Sequence, residues 1–468
     1  MTTMTGKSLI AGEWLTPGGK TFHSFNPYTG ETFNAFNSCG AAEVDVALAA
    51  AAEAYQHMRQ MDGTAVAAFL EALADEIEAL GDELLETCDA ETGLGRVRLT
   101  GERGRTTGQI RAFAAIAAKG EWVEASIDTA IPDRLPVPKP DLRRMMQGIG
   151  PVAVFGASNF PFAFSVAGGD TASALAAGNP VVVKGHPAHP ATSELFARAF
   201  ERAIERTGFP PGVFSLLQSA DHEVGVELAK HPAVQAIGFT GSLRGGRALM
   251  DLAAARPQPI PVYAEMGSVN PVFLGPNTLA NTRDAIAAGL SGSVCMGTGQ
   301  FCTSPGLAIL VEDDGFEEAM RNAMNAAPRG HLLNPGIRDA LATGLERLQA
   351  IAGVEWLNQS DFESDSMTPP NAVFRVPADV FLEEQSLSEE VFGPVTLLVA
   401  CRDEAQVLEV GAGLEGNLTG SIHADDDPEL AAALTGLLEQ KVGRVIFNAY
   451  PTGVEVCPSQ QHGGPYPS

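Results

Sequence analysis

The sequence is poor in several things, and each shortage closes off a class of protein. It has no run of about 18 or more consecutive apolar residues, so a membrane-spanning helix is not expected. The stretch Met1 to Leu15 carries Lys7 with no long apolar block behind it, which does not read as a secretory signal. Six cysteines in 468 residues, none in a Cys-x-x-Cys pair, make neither a disulfide framework nor a zinc ribbon. No metal is therefore expected, and a reducing cytoplasm is the simplest compartment. Positive charge is scarce as well: 30 Lys and Arg stand against 57 Asp and Glu, a formal net charge of −27. Nucleic acid and anionic membranes would be repelled, so neither is expected as a partner.

What remains is the balance of a globular enzyme, with 45% hydrophobic and 19% charged residues. The length suits two or three packed domains, and 50 glycines with 31 prolines spread along it suggest many tight connections. Residues 8–35 read as a β meander. Residues 41–120 show helical spacing, as in Val66, Phe69, Leu70, Leu73, Ile77 and Leu80, and predict three or four helices. The segment 132–148 is polar, proline-rich and locally basic, a linker or a hairpin that leaves the domain. From residue 149 short β-branched runs (Val152–Phe155, Val181–Lys184, Val213–Leu217, Ala236–Thr240) alternate with helical stretches near 165–177, 190–207, 221–230 and 243–255. Such alternation predicts a parallel, dinucleotide-type sheet with right-handed crossovers. A second α/β region follows from about 263 to 447, with a strand near Pro271–Leu274 and a helix through 281–293.

Six segments carry candidate chemistry. In Val154-Phe155-Gly156-Ala157-Ser158-Asn159, Gly156 lets the backbone turn at the end of a buried strand. Asn159 then presents an amide where open sheets place ligands, or simply caps the next helix. Val181-Val182-Val183-Lys184 ends an apolar run in an ammonium, which seeks a ribose or phosphate oxygen unless it snorkels to solvent. Gly238-Phe239-Thr240-Gly241-Ser242, followed by Gly245 and Gly246, offers helix-start N–H groups to a pyrophosphate, though it is not a G-x-G-x-x-G fingerprint. Glu265, beside Met266 and Gly267, is either a desolvated general base with a raised pKa or a surface carboxylate. Cys302 lies in the Gly-rich loop Gly297-Thr298-Gly299-Gln300-Phe301-Cys302, bounded by Pro305. Outside any packed helix, its thiol is a candidate nucleophile, whereas Cys295 sits in an apolar helical context and reads as structural. Finally, Glu389-Glu390-Val391-Phe392-Gly393-Pro394 is a carboxylate able to accept sugar hydroxyls, or a solvated acidic loop.

Together, the types, order and spacing of these segments resemble the aldehyde dehydrogenase superfamily over essentially the whole chain. The most specific matches are Glu265-Met266-Gly267, Gly299-Gln300-Phe301-Cys302, Phe239-Thr240-Gly241-Ser242 and Glu390-Val391-Phe392-Gly393-Pro394. The resemblance implies an α/β fold: a Rossmann-type cofactor domain (1–131 and 149–262), an α/β catalytic domain (263–448) and a small β oligomerisation hairpin. Residues 132–148 and 449–468 would be the oligomerisation and bridging segments. It implies that Cys302 attacks an aldehyde, that the Asn159 side chain and the Cys302 N–H form the oxyanion hole, and that Glu265 activates the hydrolytic water. Lys184 and Glu390 would hold ribose hydroxyls, Gly241, Ser242 and the helix carrying Gly246 would receive the pyrophosphate, and Phe392 would pack near the nicotinamide ribose. Relatives that pass their thioester to coenzyme A generally lack the glutamate, so release of the free acid is favoured.

Departures refine the expectation. Where NAD-preferring relatives commonly carry a glutamate three residues after the lysine, this chain has Pro187, so NADP is favoured with NAD possible, and Lys184 or His186 would meet a 2′-phosphate. Gly168-Gly169-Asp170, Lys184-Gly185-His186-Pro187 and His462-Gly463-Gly464-Pro465 look like one branch. That branch holds α-ketoglutaric semialdehyde dehydrogenases and a bacterial fatty aldehyde dehydrogenase. The first substrate is an anion, and the helix carrying Arg103 and Arg105, with Phe160 and Phe164 opposite, is the expected wall of its tunnel. The alternatives are a fatty or broad-range aldehyde dehydrogenase and a catalytically silent binding homologue. A homodimer or homotetramer is expected.

Overall fold

The computed structural model describes residues 4–359 and 365–468, and the chain is organised around two largely parallel sheets. The first sheet consists of the strands Val152–Phe155, Val181–Lys184, Phe214–Leu217, Ala236–Thr240 and Val262–Glu265. Covered on both faces, such strands need no alternation, which is why they read as nearly unbroken apolar runs. In space the order is Val262–Glu265, Ala236–Thr240, Val152–Phe155, Val181–Lys184, Phe214–Leu217, every pair parallel. The chain starts in the middle, winds to one edge and then returns to build the other. Connections therefore diverge between Val152–Phe155 and Ala236–Thr240, and a crevice opens at their carboxyl ends.

Helices fill both faces of this sheet. On one side Phe162, Phe196, Phe200 and Phe214 are fully buried, with the Phe200 and Phe214 rings stacked at 3.7 Å. On the other, Val44, Leu48 and Ala51 of the helix Ala41–Met58 meet Val182, Leu217 and Ile237. Four helices occupy the expected helical region: Ala41–Met58, Gly63–Ala79, Gly81–Thr92 and Arg96–Lys119. The Asp62 side chain caps the second by accepting the Ala65 N–H. Before them lie two hairpins, Ser8–Ile10 with Glu13–Leu15 and Thr21–Phe25 with Thr32–Asn37.

The second sheet runs Glu355–Trp356, Ala372–Pro377, Val395–Cys401, Leu307–Val311, Val272–Leu274, Asn417–His423, Val442–Phe447, all parallel except the first pair. The two sheets meet in opposite senses. The first offers the carboxyl ends of its strands, which lead to Asn159, Lys184, Gly241 and Glu265. The second offers amino ends: the loops before Val272–Leu274, Leu307–Val311 and Val395–Cys401 carry Asn270, Cys302 and Phe392.

Several boundaries differ from the sequence reading. A break at 263 would cut the strand Val262–Glu265, whose ladder continues until Thr240 faces Glu265. The excursion expected at 132–148 begins earlier, because Ser126–Asp128 pairs antiparallel with Leu142–Arg144 in a hairpin whose strand residues are all exposed. The helix expected from 165 starts at Gly169. The one expected at 281–293 spans Pro276–Cys295, its proline suited to a first turn that needs no N–H there. Among the described residues no helix is long and apolar enough to cross a membrane.

Candidate active site

Cys302 sits in a loop held from both sides. Gly297, Thr298 and Gly299 all take positive φ, which winds the chain sharply after the helix that ends at Cys295. A Cβ on Gly299 would come within 2.1 Å of the Gly393 carbonyl, so only glycine lets this loop and the Phe392-Gly393-Pro394 turn touch. The buried Asn270 side chain then donates to the carbonyls of Cys302 (2.8 Å) and Ser304 (3.0 Å). Gln300, fully buried, donates to Gly297 and His331 carbonyls and accepts the Leu333 N–H. The thiol is thus mounted on a rigid turn.

Three side chains approach it from elsewhere. The Asn159 amide donates one N–H to the Gln300 carbonyl at 3.1 Å, which orients the group and leaves its second N–H available. Glu265 arrives at the end of its strand. His462 arrives on the C-terminal segment, with Nε2 2.9 Å from Glu265 Oε2 and 3.7 Å from Cys302 Sγ. That segment is pinned: Ser468 Oγ donates to the Gly267 carbonyl at 2.6 Å, and Gly416 N–H to the Tyr466 carbonyl at 3.2 Å. Gly443 is needed below it, since a Cβ there would meet the Gly463 carbonyl oxygen at 1.6 Å. His462 was visible in sequence only as part of a family-like turn, and nothing local announced that it meets residues 160 positions away.

The electrostatics correct one expectation. Burial pushes the Cys302 thiol well above its usual pKa; the charges of Glu265 and Glu390 push the same way, against Arg105. Glu265 is not raised. Burial alone would raise it, but the hydrogen bond and charge of His462, then Cys302 and Arg105, together hold its carboxyl below the ordinary value. Asp170, in the Gly168-Gly169-Asp170 departure, is pushed up to about 6 by burial and by the nearby Glu265 charge.

A cavity of about 250 Å³ opens on one side of Cys302, lined by Arg98, Arg105, Phe160, Phe164, Phe301 and His462 among others. Arg105 stands over the Phe164 ring at 4.9 Å. Arg98, not singled out in sequence, stands over Phe160 and Phe301 at 4.9 and 4.8 Å and donates to the Asn159 carbonyl at 2.5 Å. Arg98 and Arg105 lie on one face of the helix Arg96–Lys119, two turns apart at i and i+7, and that spacing was the available signal. Arg103, expected on this wall, points elsewhere: its Nη1 donates to the Gly81 carbonyl at 2.9 Å. Buried Arg98 Nη1 and Arg105 Nε have no protein partner among the described residues. Arg444 of the strand Val442–Phe447 was also missed; it faces the charges of Cys302 and Glu265, and its Nε and Nη2 are buried without a partner among the described residues.

On the other side lie two connected cavities of about 340 and 610 Å³, which share His186, Thr240, Gly241 and Ser242 as walls. Asn159, Cys302, Glu265, Glu390 and Phe392 line the nearer one, and Lys184, Pro187, Asp221 and Arg244 the farther. Lys184 Nζ donates to the Ser219 carbonyl at 3.0 Å, and burial brings its pKa down to about 8. Glu390 is exposed on the wall of the nearer cavity; the protein packed around it, then the Glu265 charge, pushes it up to about 8. Three expectations change here. The Gly241 N–H is occupied by the Glu265 carbonyl at 3.0 Å and cannot serve a pyrophosphate. Gly246 is a packing residue, where a Cβ would strike Met266 at 2.4 Å. His186 Nδ1 accepts the Ala188 N–H at 3.1 Å, and burial keeps the ring neutral, a poor phosphate partner. Ser242 caps the helix Leu243–Ala254 through the Gly245 N–H, which leaves the first-turn amides of Leu243 and Arg244 without an intrahelical partner.

A dinucleotide-type sheet facing a second sheet, with a half-buried thiol, a carboxylate and an amide donor at the junction, is the architecture of a nucleotide-dependent enzyme with a cysteine at its centre. The aldehyde dehydrogenase family model matches residues 14–466, and the chain belongs to that family. It is 50% identical over 99% of its length to alpha-ketoglutaric semialdehyde dehydrogenase 2 of Azospirillum brasilense, covering 90% of that protein. It is 43% identical over its whole length to alpha-ketoglutaric semialdehyde dehydrogenase of Acinetobacter baylyi, again covering 90%. Among solved structures, an aldehyde dehydrogenase mutant of Pseudomonas syringae, crystallised with NAD+ and octanal, superposes with a TM-score of 0.83 at 22% identity. That match covers 98% of this chain and 91% of the other, and shows the fold.

Proposed function

We propose that the protein oxidises α-ketoglutaric semialdehyde to α-ketoglutarate with a nicotinamide cofactor, NADP+ preferred and NAD+ also accepted. The observation that carries the substrate is a pair of guanidinium N–H groups, Arg98 Nη1 and Arg105 Nε, buried without a partner among the described residues, beside Cys302 in a cavity whose walls also include Phe160, Phe164, Phe301 and Glu102. An aliphatic aldehyde leaves those donors unsatisfied, at a cost of about 1–3 kcal/mol each, whereas a carboxylate and a 2-oxo group satisfy them. The names of the two relatives at 50% and 43% identity agree with this.

The residues present fit a dinucleotide. Lys184 has only carbonyl partners and keeps donors to spare, Glu390 could accept ribose hydroxyls, Phe392 flanks the nearer cavity, and the helix start at Arg244, on the wall of the farther one, could receive the phosphates. Pro187 puts no negative charge three residues after Lys184, which favours NADP+; Asp221 on the same wall keeps that preference modest. When bound, the cofactor supplies the hydride acceptor.

The chain's own groups do the rest. Cys302 Sγ adds to the aldehyde carbon while its proton passes to the Glu265–His462 pair. Asn159 Nδ2 and the Cys302 N–H hold the oxygen of the thiohemiacetal, and a donor of this kind is worth about 10²–10³-fold in rate. After oxidation to the Cys302 thioester, Glu265, its orientation set by His462, takes a proton from water. Hydroxide adds to the thioester carbon, the C–S bond breaks, and the acid leaves. We further propose that the protein is cytoplasmic and assembles as a homodimer or homotetramer through the exposed hairpin 126–144 and the two residues after it, where Ile127, Leu142, Met145 and Met146 stand in solvent.

The test is oxidation of α-ketoglutaric semialdehyde followed by reduced nicotinamide absorbance, with NADP+ and NAD+ in parallel, octanal as comparator and Cys302→Ala as control. Turnover of the anionic aldehyde at a kcat/KM well above that of octanal is expected. The reverse order would retain the dehydrogenase chemistry and sink the anionic substrate.

A further inference from the structure

We propose that the junction of Cys302, His462 and Glu265 is a binding site for Zn2+ and related borderline divalent cations, which occupy it reversibly and close the catalytic centre. The spacing rule that found no zinc motif does not apply, because these residues are far apart in sequence and brought together only in the fold. Their ligating atoms, one thiol sulfur, one imidazole nitrogen and one carboxylate oxygen, all lie within 4.8 Å of one another. With Zn–S, Zn–N and Zn–O lengths of about 2.3, 2.0 and 2.1 Å at tetrahedral angles, the ligands of such a site stand about 3.4–3.6 Å apart. Here Sγ to Nε2 is 3.7 Å and Nε2 to Oε2 is 2.9 Å, so the first pair is already spaced for a shared metal and the second must open by about half an ångström.

The donor set also fits. A soft thiolate with imidazole and one carboxylate suits Zn2+ and Co2+ and rejects Mg2+ and Ca2+, which need more oxygen ligands. Glu265 Oε1 is buried with no hydrogen-bond partner among the described residues, so the carboxylate has unused acceptor capacity at the site. Three protein ligands leave a fourth position, opening toward the cavity that Phe160 and Phe164 line, for water. Binding is balanced as follows: the metal replaces the thiol proton and the proton that His462 carries on Nε2, both of which leave to solvent, while the Nδ1 proton stays. That Nδ1 is buried without a partner among the described residues, so the outer support typical of resident zinc sites is missing. Such support is worth about 10–100-fold in affinity, so this site should exchange its metal rather than retain it.

The inference rests on three side chains and not on the substrate assigned above. Metal-free full-length protein, without cofactor, is titrated with Co2+ and followed by absorbance. Expected are a near-ultraviolet sulfur-to-cobalt charge-transfer band and visible bands of tetrahedral intensity, saturating at one ion per chain and displaced by Zn2+ but not by Mg2+. Cys302→Ser should lose the charge-transfer band, and His462→Gln should weaken binding at least tenfold, with thermal melting confirming that both variants fold. In wild type, Zn2+ should slow alkylation of Cys302 by iodoacetamide, and a chelator should restore the rate. No band in wild type, or a band undiminished in Cys302→Ser because exposed Cys457 binds the ion, would overturn the proposal. Dehydrogenase turnover of the same metal-free preparation reads the proposed function separately.

Discussion

The two cavities that meet at Cys302 are built by different means. The one on the first sheet is made of strand ends and the turns that follow them: Lys184 closes its strand, and Gly241 and Ser242 follow theirs directly. Each contribution is encoded within a few residues, and the sheet's winding order collects them. The cavity on the other side has no such scaffold. Its walls are single side chains from the helix Arg96–Lys119, the loops carrying Phe160 and Phe301, and the C-terminal segment with His462. The first is placed by the backbone, with side chains such as Lys184 set directly at strand ends. The second is a side-chain site, where charge sits on aromatic faces and each residue counts. Recognition of a cofactor shared by many enzymes suits the former construction, and discrimination among aldehydes suits the latter.

The largest expected effect tests the point where the cavities join. Cys302→Ser should lower turnover by at least ~10³-fold, measured with saturating aldehyde, while leaving the affinity for the cofactor within about twofold. If cofactor binding fell in step, the two sides would not be separable. Next, Glu265→Gln should reduce steady-state turnover by about 10²–10⁴-fold and let the thioester accumulate, so that a rapid burst of one equivalent of reduced cofactor precedes slow release. Because Glu265 is held below the usual carboxylate range, it remains a base well into mildly acidic solution. The wild-type acid limb should therefore lie lower than a raised carboxyl would give.

A smaller effect belongs to the side-chain cavity alone. Arg98→Leu and Arg105→Leu should each raise KM for the anionic aldehyde by about 10–100-fold, the worth of one charge-assisted hydrogen bond, and change octanal little. Equal losses for both aldehydes would mean that the arginines only brace Phe160, Phe164 and Phe301. The smallest effect belongs to the backbone cavity. Lys184, brought down to about 8, is charged below that pH and neutral above it, so affinity for NADP+ should fall as pH rises through about 8. The slope is at most tenfold per pH unit, and Lys184→Met should flatten it in a titration of the free enzyme.

Four of the five strands of the first sheet are readable from the chain because burial on both faces demands continuous apolar runs. Val262–Glu265 is the exception: Tyr263 is exposed and the others half-buried, and a boundary at 263 cuts through it. Cys302 was legible because glycines and a proline around a cysteine leave few structural explanations. Arg103 stands in the expected wall where Arg98 belongs, because residues five apart on a helix point about 140° apart and periodicity alone does not say which face is inward. Gly241 and Gly246 illustrate a related confusion. A glycine required for packing or for a sheet hydrogen bond looks, in sequence, like one that cradles phosphate.

The amino-acid sequence by itself determined the parallel sheet, the glycine-rich loop around Cys302 and the family, since these depend on local runs and turns. Only the tertiary structure decided that His462 meets Glu265 and Cys302, that Asn270 fixes the nucleophile's backbone, and that Glu265 is lowered rather than raised. The physical reason is that burial and charge act through space. A carboxylate is shifted by whatever stands within a few ångströms of it, and for Glu265 those neighbours come from parts of the chain whose separation no local pattern records.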